Sequence, residues 1–189
     1  MRLCVFCGSK HGIRPQYSQA ARRFGALMAE RGVGLVYGGG AIGLMGEVAD
    51  AVLAGGGEVI GVIPRFLSGE EIAHSGLTEL HVVESMHERK ARMAELADGF
   101  AALPGGIGTL EELNEILTWA QLELHAKPVG VLNTAGFFDG FLAFLRFTVR
   151  EGFLAEKHRR LLLSADEPED LLQWLTAGPT AGPVKTELV

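Results

Sequence analysis

The sequence predicts an α/β fold in which a doubly wound, mostly parallel sheet of seven strands carries helices on both faces. Short apolar runs alternate with segments of helical periodicity, and each connection is long enough for a crossover between parallel strands. The strand runs are continuously apolar, as in a sheet that is covered on both faces. The predicted strands are Leu3–Cys7, Gly34–Tyr37, Val59–Ile63, Leu80–Val83, Gly99–Leu103, Val129–Leu132 and Leu161–Leu163.

Helices are predicted in the connections, and in such a sheet ligands bind outside the carboxyl ends of the strands. The helix that contains Phe137–Phe147 is apolar over most of its circumference, which indicates core packing in preference to a subunit interface. Residues 1–177 form one predicted domain, and 178–189, rich in Gly, Pro and Thr, form a loose tail. The predicted helices are Tyr17–Arg31, Leu44–Ala54, Met86–Ala97, Leu110–Leu124, Phe137–Glu151 and Pro168–Leu175.

The charge balance argues against two classes of partner. With 17 basic and 23 acidic residues the net charge is −6, so the chain has no basic footprint for nucleic acid and no polybasic patch for a membrane surface. The first residues begin directly as a strand, without the charged-then-apolar layout of a signal peptide, and no apolar run reaches the length of a membrane span. We therefore expect a cytoplasmic protein.

Cys4 and Cys7 form a Cys-x-x-Cys pattern, which allows a redox interpretation. Both lie in the first predicted strand, where three residues span about 10 Å and place the side chains on opposite faces, beyond the ~7 Å Cα limit for a disulfide. We expect two buried thiols instead. The six histidines show no metal-binding spacing, so no metal is expected.

Gly38–Gly43 follows a predicted strand, precedes a predicted helix and matches the G-x-G-x-x-G pattern of dinucleotide-binding loops. An NAD site would also need an acid at the end of the next strand, where this chain has Pro64 and Arg65. The pattern therefore favours a phosphate or mononucleotide site over NAD. A tight turn that binds nothing stays open as the alternative.

A second glycine turn, within Leu103–Glu112, joins an apolar strand to a helix. Its glycines let backbone N–H groups approach a ligand, and the free N–H groups and dipole of the helix start favour an anion. Glu111 and Glu112 lie beside this anion pocket, where carboxylates suit the cationic or polar parts of a ligand. Thr109 and Glu112 also have the spacing of a capping box, which would explain Glu112 without a ligand.

Ser85 and Glu88 have capping-box spacing too, and they mark a helix start just after the fourth predicted strand. Arg89 and Lys90 then lie near the positive end of that helix, which favours an acidic partner or a bound anion, with a solvated charged face as the alternative. The turn after the first strand brings Ser9 to the same edge of the sheet, either as a ligand contact or as part of a surface loop.

Pro104–Glu112 matches the PGGxGTxxE signature of the Lonely guy (LOG) phosphoribohydrolases. The segments Cys7–Ser9, Tyr37–Gly46 and Met86–Ala91 also resemble that family, in the same order and with similar spacing over nearly the whole chain. The chain is identified as a member of the LOG family on these motifs.

The resemblance implies a Rossmann-like fold, a homodimer, no cofactor, and hydrolysis of the N-glycosidic bond of a cytokinin riboside 5′-monophosphate, with AMP as a simpler substrate. It implies catalytic roles for Arg89 and Glu112. Some family members carry the label lysine decarboxylase, but nothing in this sequence indicates a pyridoxal site. The implied substrate-binding residues are Ser9, Gly39, Gly40, Gly43, Glu71 (with the adjacent Glu70 as the alternative register), Met86, Lys90, Gly105, Gly106, Ile107, Gly108, Thr109, Leu110, Glu111 and Thr118.

The physical interpretation and the resemblance combine in one mechanism. The glycine loops and Ser9 hold the 5′-phosphate, while Glu112 stabilises the positive charge that the ribose gains as the C1′–N9 bond breaks, or orients the attacking water. Arg89 positions phosphate or sugar oxygens and keeps Glu112 ionised. A non-catalytic carrier of a nucleotide or of molybdenum cofactor stays open, because carriers of similar fold display a PGGxGT-like loop. An NAD-dependent oxidoreductase is disfavoured by the missing ribose acid.

Overall fold

The structure, a computed structural model, describes residues 1–67 and 74–177. Within these ranges seven strands form one sheet, and every pairing between neighbouring strands is parallel. The predicted fold class is therefore confirmed, and the sheet is wholly rather than mostly parallel. The strands are β1 (Arg2–Phe6), β2 (Gly34–Tyr37), β3 (Val59–Pro64), β4 (Glu79–Val83), β5 (Gly99–Ala102), β6 (Val129–Leu132) and β7 (Leu162–Ala165).

The strand order is β4-β3-β2-β1-β5-β6-β7, so the winding direction reverses between β1 and β5. These two strands pair in register from Leu3 opposite Gly99 to Phe6 opposite Ala102. The chain leaves β1 toward one face of the sheet and leaves β5 toward the other. In an open parallel sheet such a switch point opens a crevice at the carboxyl ends of the strands, where ligands bind.

Helices cover both faces of the sheet, as predicted. One apolar layer joins the strands to the first, second and seventh helices, and the other joins them to the third, fourth and fifth. A sixth, one-turn helix precedes β7 and was not expected from the sequence. The helices are α1 (Pro15–Glu30), α2 (Gly43–Ala54), α3 (Met86–Leu96), α4 (Ile107–Gln121), α5 (Asp139–Arg150), α6 (Glu156–Arg159) and α7 (Pro168–Thr176).

The two cysteines lie on opposite sides of the sheet. Cys4 packs into the layer beneath α3 and α4, whereas Cys7 packs into the layer beneath α1 and α2. Both thiols are free and buried, as the alternation along β1 predicted. Burial raises the pKa of both thiols, and the nearby Glu112 carboxylate raises them further. Neither has the lowered pKa of a reactive thiol.

The prediction of core packing for the phenylalanine-rich helix is wrong for much of its surface. Phe138, just before α5, is buried, but no residue within α5 is. Phe144 and Phe147 are 59% and 46% exposed. The helix lies outermost over the β6 and β7 side of the sheet, so only one stripe of it can reach the core. The alternative explanation of the apolar helix, a subunit interface, therefore stays open.

The predicted tail, residues 178–189, lies outside the described residues. Within the described ranges, no helix combines the length and apolar character that crossing a lipid bilayer requires.

Candidate active site

The loops that follow β1 and β5 are in direct contact at the switch point. The Gly8 N–H donates a hydrogen bond to the Pro104 carbonyl over 3.0 Å. A Cβ on Gly105 would lie 2.1 Å from Thr109 Oγ1 and 2.9 Å from the Gly8 nitrogen, so a side chain is excluded there. Ser9, exposed on the first loop, therefore lies next to the second glycine turn.

The loop that follows β2 closes against the same place. The Leu44 N–H donates to the Gly8 carbonyl over 2.9 Å. Gly43 has a φ of +63°, and a Cβ there would lie 2.2 Å from the carbonyl carbon of Ser9. Gly39 also has a positive φ, +80°. Positive φ and close backbone approach both require glycine at these positions. The contacts between the loops bring the three predicted binding loops together at one edge of the sheet.

Helix α4 begins at Ile107, earlier than the sequence indicated, with Gly106 in the extended conformation of an N-cap residue. The predicted capping box of Thr109 and Glu112 is therefore wrong. Thr109 is the third residue of the helix and is buried, and its hydroxyl lies within the turn instead of capping it. Glu112 consequently has no role in capping, and a different explanation for its position is required.

The start of α4 is open on its outer side. Gly106 has no side chain with which to cap the helix. Apart from the adjoining backbone, no described atom lies within 4 Å of the place where a Cβ would stand on Gly106 or Gly108. Ile107 is 88% exposed. Because the first N–H groups of a helix have no partner within it, this end offers donors and partial positive charge to an anion.

Helix α3 begins after the predicted N-cap residue, Ser85, but only one of the two bonds of the predicted capping box forms. The Glu88 N–H donates to Ser85 Oγ over 3.1 Å, and the Glu88 carboxylate accepts from the Glu84 N–H over 2.8 Å. This fixed start places Arg89 and Lys90 on the side of α3 that faces the protein, and both are buried. The alternative of a solvated charged face is thereby excluded.

The Arg89 guanidinium is held by two backbone carbonyls, one just after β2 and one within β3. Its Nε donates to the Val62 carbonyl over 3.1 Å and its Nη2 to the Gly38 carbonyl over 3.2 Å, while Nη1 lies 3.8 Å from Met86 S. A Cβ on Gly38 would lie 2.0 Å from Nη2. Gly38 thus makes room for the Arg89 guanidinium, a contact that its place at the start of the glycine run did not predict.

Glu112 is partly buried on α4. Burial raises the pKa of its carboxyl to about 7, Arg89 and Lys90 oppose this rise, and the Glu111 and Glu115 carboxylates add to it. Among the described ion pairs, none joins Arg89 to Glu112. Arg89 thus favours the ionised form of Glu112, in the expected direction, but desolvation outweighs its attraction and leaves the pKa above the ordinary value.

Lys90 joins α3 to α4. Its Nζ lies 2.5 Å from Glu111 Oε1 and 3.1 Å from Glu115 Oε1, and its side chain is only 10% exposed. Burial disfavours the ammonium, but the two carboxylates outweigh it and the pKa of Lys90 is raised. Glu115 is a residue that the sequence interpretation missed; its only signal was its position four residues after Glu111, on the same helix face.

The other predicted contacts are less uniformly placed. Gly40 lies in the loop after β2, and Leu110 is the fourth residue of α4. Thr118 is exposed, donates its hydroxyl to the Asn114 carbonyl over 2.7 Å, and lies roughly 16 Å along α4 from Ile107 at 1.5 Å per residue. A single chain therefore does not bring Thr118 to the glycine turn.

Glu71 lies outside the described residues. Within the described ranges, no group of His, Cys, Asp or Glu side chains is arranged to hold a metal ion.

Solved structures share this fold. The molybdenum cofactor carrier protein of Chlamydomonas reinhardtii matches with a TM-score of 0.70 and 23% identity, over 93% of this chain and 98% of that one. The molybdenum cofactor binding protein of Rippkaea orientalis matches with a TM-score of 0.68 and 21% identity, over 93% and 95%. Identities this low establish a shared fold and no more. The fold and its glycine loops define the class, a Rossmann-like α/β protein.

Sequence relatives identify the family within that class. Residues 45–175 match the family model described as "Possible lysine decarboxylase". The chain is 54% identical over 171 residues to the cytokinin riboside 5′-monophosphate phosphoribohydrolase LOG of Oryza sativa, covering 90% of this chain and 71% of the relative. It is 50% identical over 174 residues to LOG7 of Arabidopsis thaliana, covering 92% and 80%. The chain belongs to the LOG family, as its motifs predicted.

Proposed function

We propose that this protein hydrolyses the N-glycosidic bond of cytokinin riboside 5′-monophosphates, with AMP as a simpler substrate, and releases the free base and ribose 5-phosphate. The names of its relatives support this reaction. The observation that carries the proposal is Glu112, a partly buried carboxyl that stands near Arg89 and follows the open start of α4. An anion site beside a carboxylate suits a substrate with a phosphate at one end and a developing cation at the other.

In this proposal the open helix start and the β1 loop bind the 5′-phosphate. The N–H groups of Ile107, Gly108 and Thr109 and the hydroxyl of Ser9 are the donors. Arg89 contacts phosphate or sugar oxygens through the N–H groups that the two strand carbonyls leave free. Those carbonyls orient the guanidinium before the substrate arrives, which reduces the cost of ordering it on binding.

Glu112 acts at the reacting carbon. Hydrolysis joins a water oxygen to C1′ and breaks the C1′–N9 bond, whose electron pair leaves with the base, and the base takes up a proton. The Glu112 carboxylate stabilises the positive charge on the ribose or accepts the proton of the attacking water. A pKa of about 7 suits this group to accept that proton and release it again near neutral pH.

Product analysis tests the proposal. The full chain is incubated separately with AMP and with an N6-prenylated AMP, and the mixtures are separated by reversed-phase chromatography with a coupled assay for ribose 5-phosphate. We expect free base and ribose 5-phosphate in equal amounts. Intact nucleotide that stays bound to the protein would overturn the reaction and favour a carrier instead.

We also propose that the protein is a homodimer. Phe144 and Phe147 expose apolar rings on α5, and Thr118 lies too far along α4 to reach the glycine turn of its own chain. Sedimentation analysis tests this proposal, which a monomer at micromolar concentration would contradict. The acidic composition supports the absence of nucleic-acid and membrane partners. We keep the cytoplasmic location as a proposal, which cell fractionation tests. We also take residues 1–177 as the catalytic domain, which a truncation after residue 177 tests.

A further inference from the structure

The two proposed catalytic residues are joined through their neighbours. Arg89 and Glu112 form no ion pair, but the next residue on α3, Lys90, binds the preceding residue on α4, Glu111, over 2.5 Å. Lys90 binds Glu115 as well, over 3.1 Å. One ammonium that two carboxylates share thus bridges the two helices at the site.

We infer that Glu115 is a positioning residue that holds Lys90, and through Lys90 the relative placement of Arg89 and Glu112. The inference rests on the proposed function, since it assigns a role to Glu115 in that same reaction. Nothing in the family motif or in the sequence interpretation had singled out this residue.

The exposure of the two carboxylates distinguishes their contributions. The Glu111 side chain is 51% exposed, whereas that of Glu115 is 25% exposed. Exposed ion pairs are weak because water and salt screen them, and partly buried pairs are screened less. A buried ammonium also requires acceptors for its N–H donors. Glu115 is therefore the more durable partner of Lys90, and Glu111 is the one that a ligand can more easily displace.

Glu115 also contributes to the charge around Glu112. The groups that act on Glu112 are Arg89 and Lys90 from α3 and Glu111 and Glu115 from α4. Glu112 in turn acts on the buried thiols of Cys4 in β1 and of Cys7 just after it. The negative charge of Glu115 favours the protonated form of Glu112. Removing the charge of Glu115 lowers the pKa of Glu112. If Lys90 is also released and moves toward Glu112, its ammonium lowers the same pKa further.

The experiment compares Glu115→Gln and Glu115→Asp with Glu95→Gln in the full chain. Glu95 is a matched control, because it is also a helical carboxylate in an ion pair, with Arg92 on α3, but it has no contact with Lys90. For each protein we measure the pH profile of kcat with AMP, the thermal unfolding temperature, and the titration of the Glu112 carboxyl by carbon-13 NMR.

For Glu115→Gln we expect the plateau of kcat to fall about tenfold, through lost positioning, and the Glu112 titration to move to lower pH. Glu115→Asp keeps the charge on a shorter side chain. We therefore expect its kcat plateau to fall severalfold, while the midpoint of its Glu112 titration stays at the wild-type pH. Glu95→Gln leaves both unchanged.

An unmoved Glu112 titration in Glu115→Gln overturns the inference, even if the plateau falls, because that result means a purely structural role. If Glu115→Gln does not fold, a kcat plateau at the wild-type level in Glu115→Asp also overturns the inference. The NMR titration needs no turnover. A wild-type protein that cleaves no nucleotide therefore contradicts the proposed function, while the titration still decides whether Glu115 acts on Glu112.

Discussion

Arg89 Nη2 donates a hydrogen bond to the Gly38 carbonyl over 3.2 Å, and the same nitrogen would lie only 2.0 Å from a Cβ placed on Gly38. The guanidinium therefore occupies the space that any side chain on Gly38 would need. Moving either contact atom away costs energy, because the Gly38 carbonyl directly follows β2 and Arg89 Nε is bound to the Val62 carbonyl within β3.

We expect Gly38→Ala to displace the Arg89 guanidinium and to lower kcat/KM for AMP on the order of 10²-fold, as for other losses of a preorganised charged group. Steady-state kinetics measure the effect. The matched control is Gly76→Ala, whose Cβ would meet its neighbours at an ordinary 3.5 Å, and which we expect to leave the rate unchanged. Equal rates for the two variants would contradict the proposed role of the Arg89 position.

Glu112→Gln keeps the shape of the side chain and removes the carboxylate. We expect kcat for AMP to fall by 10² or more, with a smaller change in KM, since the charge acts mainly on the transition state. Single-turnover adenine release measures this directly. A folded Glu112→Gln protein with a near-normal rate would exclude Glu112 as the catalytic carboxylate.

The pH dependence of stability follows from the same carboxyl. Its pKa is raised from 4.5 to about 7 in the folded protein, so folding favours the protonated form. That contribution is fully present below pH 4.5 and is lost as the pH rises through about 7. Glu112→Gln has no such loss, so its free energy of unfolding relative to that of the wild type should be higher above pH 7 than near pH 4.5, by on the order of 3 kcal/mol.

Urea unfolding of both proteins, near pH 4.5 and again above pH 7, measures this difference. The comparison cancels the titration of every other group, provided that both proteins unfold in two states. A stability difference that does not change with pH would mean that burial leaves the Glu112 carboxyl unperturbed.

The fold could be predicted because parallel strands buried on both faces leave a simple signal. β2, for example, is buried at all four residues, and its sequence is apolar apart from the leading glycine. The start of α4 could not be predicted in the same way. Local capping rules favour the hydroxyl of Thr109, but the contact between Gly8 and Pro104 fixes the turn so that Gly106 becomes the N-cap.

The identities of the candidate site residues could be read from the motifs, but their partners could not. Arg89 binds carbonyls that lie 27 and 51 residues away, and Lys90 binds carboxylates 21 and 25 residues away. These pairs depend on how α3 docks against β2, β3 and α4, which periodicity does not encode. The raised pKa of Glu112 could not be read from the sequence for a related reason, because desolvation depends on burial in the folded chain.

The exposed rings on α5 lead to the last prediction. Two phenylalanines, Phe144 and Phe147, are 59% and 46% exposed on the outer surface of this helix. Exposed apolar patches of this kind mark interfaces, and aromatic rings dominate interface energetics. We expect the wild type to sediment at twice its chain mass of 20.2 kDa, and the double variant Phe144→Ser, Phe147→Ser to sediment as a monomer.

The control for the sedimentation experiment is Val82→Thr on β4, at the opposite edge of the sheet from α5, where the side chain is 45% exposed. It makes a surface residue more polar without touching α5, and we expect the dimer to persist. Because Thr118 lies on α4 away from its own glycine turn, activity distinguishes two kinds of dimer. If the partner completes the site, the folded monomeric variant loses AMP cleavage together with the dimer; a fully active monomer would show that each chain acts alone.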